Sequence, residues 1–146
     1  MRTSESVDVP AAPHLVFPHV AELSAYPAWL PLVHEAATVG EGAVAWEVEL
    51  RARVGPFARS KRLRMARTEI EHDHLVVFER AEVDGRDHAR WALRAELAEI
   101  ERGTRVTMHL SYDGALWTAG ILERVLDEEV RRGRSGLTAL LTSRSD

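Results

Sequence analysis

The sequence predicts an α+β fold in which a curved antiparallel sheet wraps around one long C-terminal helix. Short segments of alternating apolar and polar residues follow one another as far as Tyr112, with turn signals such as Gly55-Pro56 between them. After Gly114 the apolar residues instead recur every three to five positions, as they do on one face of a helix. The 146 residues contain no internal repeat, low-complexity stretch or long linker. We therefore expect a single domain spanning residues 1–146.

The N-terminal part predicts one strand and two short helices. Residues 1–9 have the pattern of a strand that Pro10 ends, and Pro13 suits the first turn of a helix because its missing N–H is not needed there. Pro18 is expected to interrupt this helix and to kink it near residues 14–17. A second short helix is predicted after Ser24.

Six further strands are predicted, which with the first makes seven. They span residues 32–39, 43–54, 57–70, 75–83, 88–100 and 104–112. Each is separated from the next by a short turn, so consecutive strands are expected to pair as an antiparallel meander.

Alternation along these strands predicts a sheet with one dry face and one wet face. The apolar side holds Val44, Trp46, Val48 and Leu50, then Trp91, Leu93, Ala95 and Leu97, then Val106, Met108, Leu110 and Tyr112. A dry face must be covered, and the late helix is the only element long and apolar enough to cover it. Its apolar series is Leu116, Trp117, Ile121, Val125, Val130, Leu137 and Leu141.

Composition and charge exclude several classes of function. The formal charge is −4 and the arginines are scattered among acidic residues, so no nucleic-acid interface is predicted. The absence of cysteine excludes disulfides and thiolate chemistry. No apolar run approaches the ~18 residues of a membrane span, and the first ten residues do not resemble a signal peptide. We expect a cytoplasmic protein.

Four segments give the chain a family resemblance. They are "VDVPAAPHLVF" at residues 7–17, "AELSAYPAWLPLV" at 21–33, "GTRVTMHLSY" at 103–112, and the late helix. In this order they resemble the START/Bet v 1-like (SRPBCC) superfamily, in its bacterial polyketide cyclase/dehydrase and lipid-transport branch. The resemblance implies a helix-grip fold. It does not imply one function, because this framework serves carriers, cyclases and interaction proteins alike.

The same resemblance places the stiff segment "YPAWLP", from Tyr26 to Pro31, between the last helix and the sheet, as a wall of a pocket. Its prolines restrict the backbone, and its aromatic rings offer apolar area with polar tips. Packing within the core is the alternative role of such rings. We favour packing for Tyr26 and leave both roles open for Trp29.

The residue pattern predicts neither a metal site nor a catalytic motif. His72 and His74 lie at a predicted hairpin tip, and His14 and His19 point to different sides of a helix, so no set of ligands converges. No serine has a nucleophile-elbow context. We therefore predict no metal and no cofactor, and we name no catalytic residue.

Polar residues on the apolar face are the remaining candidates for ligand contacts. Arg59 and Lys61 lie toward a strand end, where solvation is the simpler expectation. Arg80 follows the parity of Phe78, although the opposite parity is equally apolar, and Tyr112 is the strongest candidate. The full set of predicted ligand-binding residues is Trp29, Trp46, Val48, Leu63, Met65, Phe78, Arg80, Trp91, Met108, Tyr112, Trp117 and Ile121.

Three functions are compatible with this interpretation. The first is binding or transport of a small hydrophobic ligand, such as a lipid, quinone or polyketide-like molecule, in a cavity beneath the last helix. The second is a polyketide cyclase or dehydrase, in which Tyr112 and Arg80 would orient carbonyls and stabilise enolate charge. The third is an interaction module without a ligand, resembling the ribosome-associated group. The partner is accordingly expected to be a small hydrophobic molecule, with the protein a monomer or a homodimer.

Overall fold

The computed structural model describes residues 2–42, 44–54, 56–113 and 119–143. Its elements are β1 (Arg2–Val9), α1 (Pro13–Val20), a 3-10 segment (Leu23–Ala28), β2 (Val33–Thr38), β3 (Ala45–Val54), β4 (Phe57–Glu71), β5 (Leu75–Arg80), β6 (Arg90–Ile100), β7 (Gly103–Asp113) and α2 (Ala119–Ser143). The predicted order of elements is thus confirmed.

The described strands form one antiparallel sheet in the order β1-β7-β6-β5-β4-β3-β2. Each strand from β2 to β7 pairs with its neighbour in sequence, and β1 closes the other side by pairing with β7. Register shifts interrupt the ladders between Val33 and Glu35 and between Arg67 and Glu69. Such irregularities increase the bend and twist of a sheet. The sheet curls, and α2 packs against β1 and β3 on its inner side.

Gly103 allows β7 to pass close to the end of β1. Its φ is +148°, and a Cβ at this position would overlap the carbonyl oxygen of Val9. Thr104 then donates its hydroxyl to the carbonyl of Ala11 at 2.7 Å. These two contacts fix the corner from which α1 departs.

Pro18 does not interrupt the first helix, contrary to the sequence prediction. The helix runs from Pro13 to Val20 with Pro18 inside it. The N–H of Val16 donates to Ala12 at 3.2 Å, and the N–H of Ala21 donates to Phe17 at 2.9 Å. These bonds hold the turns on either side of the proline, so the donor that it lacks costs this short helix only one bond.

The second short helix is present as the 3-10 segment. Two strand boundaries differ from the sequence prediction. β3 begins at Ala45 rather than at residue 43, and Val44, which precedes it, is 48% exposed rather than part of the dry face. The fifth strand ends at Arg80 rather than at Val83, because Glu82 turns back and accepts the N–H of Arg64 at 3.0 Å.

The core lies between the concave side of the sheet, the 3-10 segment and α2. Tyr26, Trp46 and Phe78 are fully buried, and the ring of Phe78 lies edge-on to both others, at 5.9 Å from Tyr26 and 5.5 Å from Trp46. This aromatic cluster joins the 3-10 segment to strands β3 and β5. None of the described helices is long and apolar enough to cross a lipid bilayer.

Candidate functional site

An apolar cavity of about 50 Å³ lies inside the curl of the sheet, beneath α2. Its walls are formed by Glu5, Ser6, Val7, Leu23, Trp29, Leu30, Leu32, Val33, Val48, Leu50, Leu63, Met65, Trp91, Leu93, Val106, Met108, Leu110, Val130, Arg134 and Leu137. Hydrocarbon side chains thus make up almost the whole wall. The volume is about a third of the ~150 Å³ apolar cavity that holds benzene in an engineered protein, so a larger ligand requires the walls to move apart.

The 3-10 segment and the residues after it hold one wall of this cavity rigidly. Tyr26 donates its hydroxyl to the carbonyl of Val20 at 2.9 Å, and Trp29 donates its indole N–H to the carbonyl of His19 at 2.9 Å. Burial raises the pKa of Tyr26 well above its ordinary value, so the phenol stays neutral and keeps donating. Tyr26 is therefore a packing residue, whereas Trp29 both packs and lines the cavity.

Two glycines let α2 approach this wall. A Cβ at Gly136 would overlap the backbone carbonyl of Trp29, and a Cβ at Gly133 would overlap the end of the Leu30 side chain. Because Val130 and Leu137 lie on the same side of α2 and line the cavity, the close approach also closes the cavity on its helical side. The two glycines thus serve the packing of the helix against the wall.

A carboxylate is buried on the same helix. Glu129 has a side chain only 6% exposed, 3.2 Å from the guanidinium of Arg132. Burial raises the pKa of Glu129 above its ordinary value, and the charge of Arg132 opposes this only in part.

Six of the predicted ligand-binding residues line the cavity. They are Trp29, Val48, Leu63, Met65, Trp91 and Met108. Trp46 and Phe78 are fully buried as well but belong to the aromatic cluster, with their rings in contact at 5.5 Å rather than in the cavity wall. Trp117 lies outside the described residues, as does the side chain of Ile121.

Arg80 and Tyr112, the two polar candidates included in the predicted ligand-binding set, do not line the cavity. The side chain of Arg80 is 8% exposed, and it donates to Glu82 at 2.9 Å and to the carbonyl of Ala89 at 3.1 Å. The ring of Tyr112 packs on Trp91 with a centroid separation of 4.6 Å. Arg59 is exposed and Lys61 is partly exposed. Arg80 therefore has its charge satisfied within the fold, outside the cavity.

Sequence reasoning missed the charged rim of the cavity. Glu5 lies on the inner side of β1, with the parity of Thr3 and Val7, and its carboxylate is 3.4 Å from the guanidinium of Arg131 on α2. Arg134 follows on the same helix and also lines the cavity. The alternation of β1 carried the signal for Glu5, because Thr3, Val7 and Val9 are buried on the same side.

A cluster of possible metal ligands, which the sequence did not reveal, lies in the turn between β5 and β6. Ligand atoms of Glu82, Asp84 and His88 come within 4.8 Å of one another. His88 already contacts Asp84 at 2.9 Å, and Glu82 accepts a hydrogen bond from Arg80. Hydrogen bonds from the N–H of Arg86 and from His88 lower the pKa of Asp84. A cation here would compete with Arg80 for Glu82, so we interpret the cluster as a turn held by hydrogen bonds.

Ser4, His109 and Glu96 contact one another in the order of the serine–histidine–acid triad of hydrolases, but they lie on the surface rather than in an active-site pocket. The Ser4 hydroxyl oxygen is 2.7 Å from Nδ1 of His109, whose Nε2 is 3.5 Å from Glu96. Arg94 also donates to Glu96 at 2.6 Å, and this bond is the largest cause of a lowered pKa at Glu96. All these groups lie on the outer side of the sheet, where Arg94 and His109 border a groove that is open to solvent and would not shield an acyl intermediate from water. They are cross-strand contacts of β1, β6 and β7.

The fold of the described residues has a known architecture. A curled seven-stranded antiparallel sheet that holds a long C-terminal helix is the helix-grip architecture of the START superfamily. The chain belongs to the family described as polyketide cyclase/dehydrase and lipid transport, which matches residues 1–142. No curated protein matches the sequence.

Three solved structures show the same fold at low identity. A protein from Thermus thermophilus is 18% identical, with a TM-score of 0.77 and complete coverage of both chains. A START superfamily protein from Mycobacterium smegmatis is 14% identical, with a TM-score of 0.76 and 97% of each chain covered. The Zhui aromatase/cyclase from a Streptomyces species is 14% identical, with a TM-score of 0.69 over 100% of this chain and 96% of that one.

Proposed function

We propose that this protein binds and carries a small hydrophobic ligand in the cavity between the sheet and α2. The observation that carries the proposal is the composition of the cavity wall, in which the charged groups Glu5 and Arg134 lie at the edge and the interior is hydrocarbon and indole. Apolar surface removed from water drives such binding at roughly 25 cal/mol per Å². The family description, which includes lipid transport, supports the same proposal. The proposal includes a cytoplasmic location, which a cysteine-free composition suits.

The cavity supports a carrier better than a cyclase. Acid–base chemistry on a carbonyl substrate needs a titratable group within hydrogen-bond reach of the reacting atom. Arg80, the cation that the cyclase hypothesis required, donates to Glu82 and Ala89 outside the cavity. The carboxylate that lines the cavity, Glu5, is paired with Arg131 at 3.4 Å. The likeness to an aromatase/cyclase is a likeness of fold alone.

The test is saturable binding that depends on the volume of the cavity. An apolar fluorescent probe and a fatty acid are titrated into the wild-type protein, and native mass spectrometry asks whether a lipid co-purifies. Val130→Leu adds a methylene group to a side chain in the cavity wall, so it should lower probe affinity while leaving the melting temperature within a few degrees. Val83→Leu is the matched control, because Val83 is 79% exposed.

Two results would contradict the proposal. Absence of saturable binding to the folded wild-type protein would favour the interaction module without a ligand. An equal loss of affinity in Val130→Leu and Val83→Leu would show that the probe binds to the surface.

A further inference from the structure

The indole N–H groups of the tryptophans lie in three different situations. Trp29 donates its N–H to the carbonyl of His19. Nε1 of Trp46 and Nε1 of Trp91 are both buried, and neither has a hydrogen-bond partner among the residues that the structure describes. Trp46 belongs to the aromatic cluster, where the guanidinium of Arg67 lies 5.8 Å from its ring. Trp91 is 6% exposed and lines the cavity.

A buried donor without an acceptor is costly, because the group has lost its hydrogen bond to water. Indole nitrogen only donates, so an acceptor atom must come from elsewhere. Trp91 lies opposite Tyr112 in the β6–β7 pair, with the two ring centroids 4.6 Å apart, but the Tyr112 hydroxyl does not accept its N–H. The side chain of Leu93, two residues along β6, is hydrocarbon and offers no acceptor. Nearly all buried donors in proteins are paired. Nε1 of Trp91 has no surface open to the closed cavity, so a ligand oxygen reaches it only when the walls move apart, as the small volume already requires.

We propose that Nε1 of Trp91 donates a hydrogen bond to a neutral acceptor oxygen of the ligand. This inference rests on the proposed function and makes it more specific. The ligand class is then an apolar molecule with a carbonyl-type oxygen, such as a ketone, an ester or a quinone. A plain hydrocarbon leaves the donor unpaired. A ligand carboxylate at this position would be a buried charge with no cation beside it, which is strongly unfavourable. A fatty acid would therefore have to keep its head group at the rim near Arg134.

The experiment compares two probes of nearly the same shape, acetophenone and α-methylstyrene, in which C=O replaces C=CH₂. Both are titrated into the ¹⁵N-labelled protein of 146 residues, whose four tryptophans give four indole N–H signals. Trp91→Phe assigns the signal of interest and removes the donor while keeping an aromatic ring. Trp46→Phe is the matched control, because it removes a buried N–H without a described partner from outside the cavity wall.

We expect both probes to bind saturably, and the Trp91 indole proton to move downfield with acetophenone only. Trp91→Phe should weaken acetophenone binding by about fivefold, the factor that one neutral hydrogen bond contributes. It should leave the affinity for α-methylstyrene within twofold. Trp46→Phe should change neither affinity.

Each alternative result has a distinct meaning. Binding of both probes without a shift of the Trp91 signal, or with equal losses in Trp91→Phe, overturns the inference while the proposed function stands. An internal water that already satisfies the N–H would produce this result. Binding of neither probe overturns the proposed function and the inference with it. If Trp91→Phe does not fold, the signal is assigned in the wild-type protein from its contacts with the Tyr112 ring, and the shift alone decides.

Discussion

The close approach of α2 to Trp29 and Leu30 leads to a prediction that separates two neighbouring glycines. Replacing either Gly133 or Gly136 by Ala adds a Cβ to the interior of a helix, which contributes about 1 kcal/mol of stability through the lower entropy of the unfolded chain. At Gly136 the new Cβ overlaps the backbone carbonyl of Trp29. Overpacking against atoms that cannot rotate away costs about 1 to 3 kcal/mol.

The net effects therefore differ in sign. Gly136→Ala should lower the free energy of unfolding by up to about 2 kcal/mol, whereas Gly133→Ala should leave it unchanged or raise it by up to about 1 kcal/mol. The reason is that the Cβ at Gly133 overlaps only the end of the Leu30 side chain and makes ordinary contact with the ring of Trp29. Leu30 borders the cavity, so its side chain has space to rotate into. For a chain of this length, 1 kcal/mol corresponds to about 3 °C in melting temperature.

Urea denaturation followed by tryptophan fluorescence measures the two free energies, and a titration with the apolar probe measures the consequence for the site. Gly133→Ala should weaken probe binding without loss of stability, because Leu30 then occupies part of the cavity. Equal stability changes in the two variants would show that the packing of α2 on Trp29 is not as close as the structure has it. Unchanged probe affinity in Gly133→Ala would show that Leu30 does not rotate inward.

The remaining predictions concern the core, the buried carboxylate and metal binding. Trp46→Asp should prevent folding, because it places an unpaired charge at a fully buried position; a melting temperature equal to that of the wild type would contradict this. Tyr26→Phe should cost about 1 to 3 kcal/mol by leaving the carbonyl of Val20 without its donor, measured by urea denaturation. The pKa of Glu129 is raised above its ordinary value of 4.5 in the folded protein. Its contribution to the free energy of unfolding is therefore complete below pH 4.5 and is lost as the pH rises through the folded-state pKa. The melting temperature of Glu129→Gln should therefore rise relative to that of the wild type between pH 4 and pH 8. A constant difference between the two would refute the raised pKa of Glu129. Zinc should leave the melting temperature unchanged; a zinc-dependent increase that His88→Ala abolishes would be the contrary result.

The sequence predicted the fold because that prediction depends on patterns that one element carries by itself. Alternation placed Trp46, Val48, Trp91 and Met108 on the inner side of the sheet, and all four are buried there. The helical period after Gly114 likewise identified Val130 and Leu137, which are buried on α2. These patterns report which side of an element is dry, and the dry sides of a sheet and a helix must meet.

The extent of the site depends on contacts between elements. The spacing of apolar residues along one element does not reveal such contacts. Parity made Arg80 a candidate for the cavity, yet its guanidinium reaches Glu82 two residues later and the carbonyl of Ala89. Similarly, Trp46 and Trp91 both lie on the dry side of their strands. Trp46 belongs to the aromatic cluster because Phe78 packs against it, whereas Trp91 lines the cavity. A strand pattern predicts burial, but which buried rings border an open space is decided by their neighbours.

The small volume of the cavity is compatible with a carrier because of how its walls are built. A ligand that buries about 200 Å² of apolar surface gains roughly 5 kcal/mol, and expansion of the cavity must cost less than this. The rigid wall is the segment fixed by Tyr26 and Trp29, whose polar tips donate to backbone carbonyls. The opposite walls contain Met65 and Met108, whose unbranched side chains change rotamer easily. Adaptation to the ligand should therefore occur on the sheet side and in the side chain of Leu30, while the indole of Trp29 keeps its position because its N–H is bonded to the carbonyl of His19.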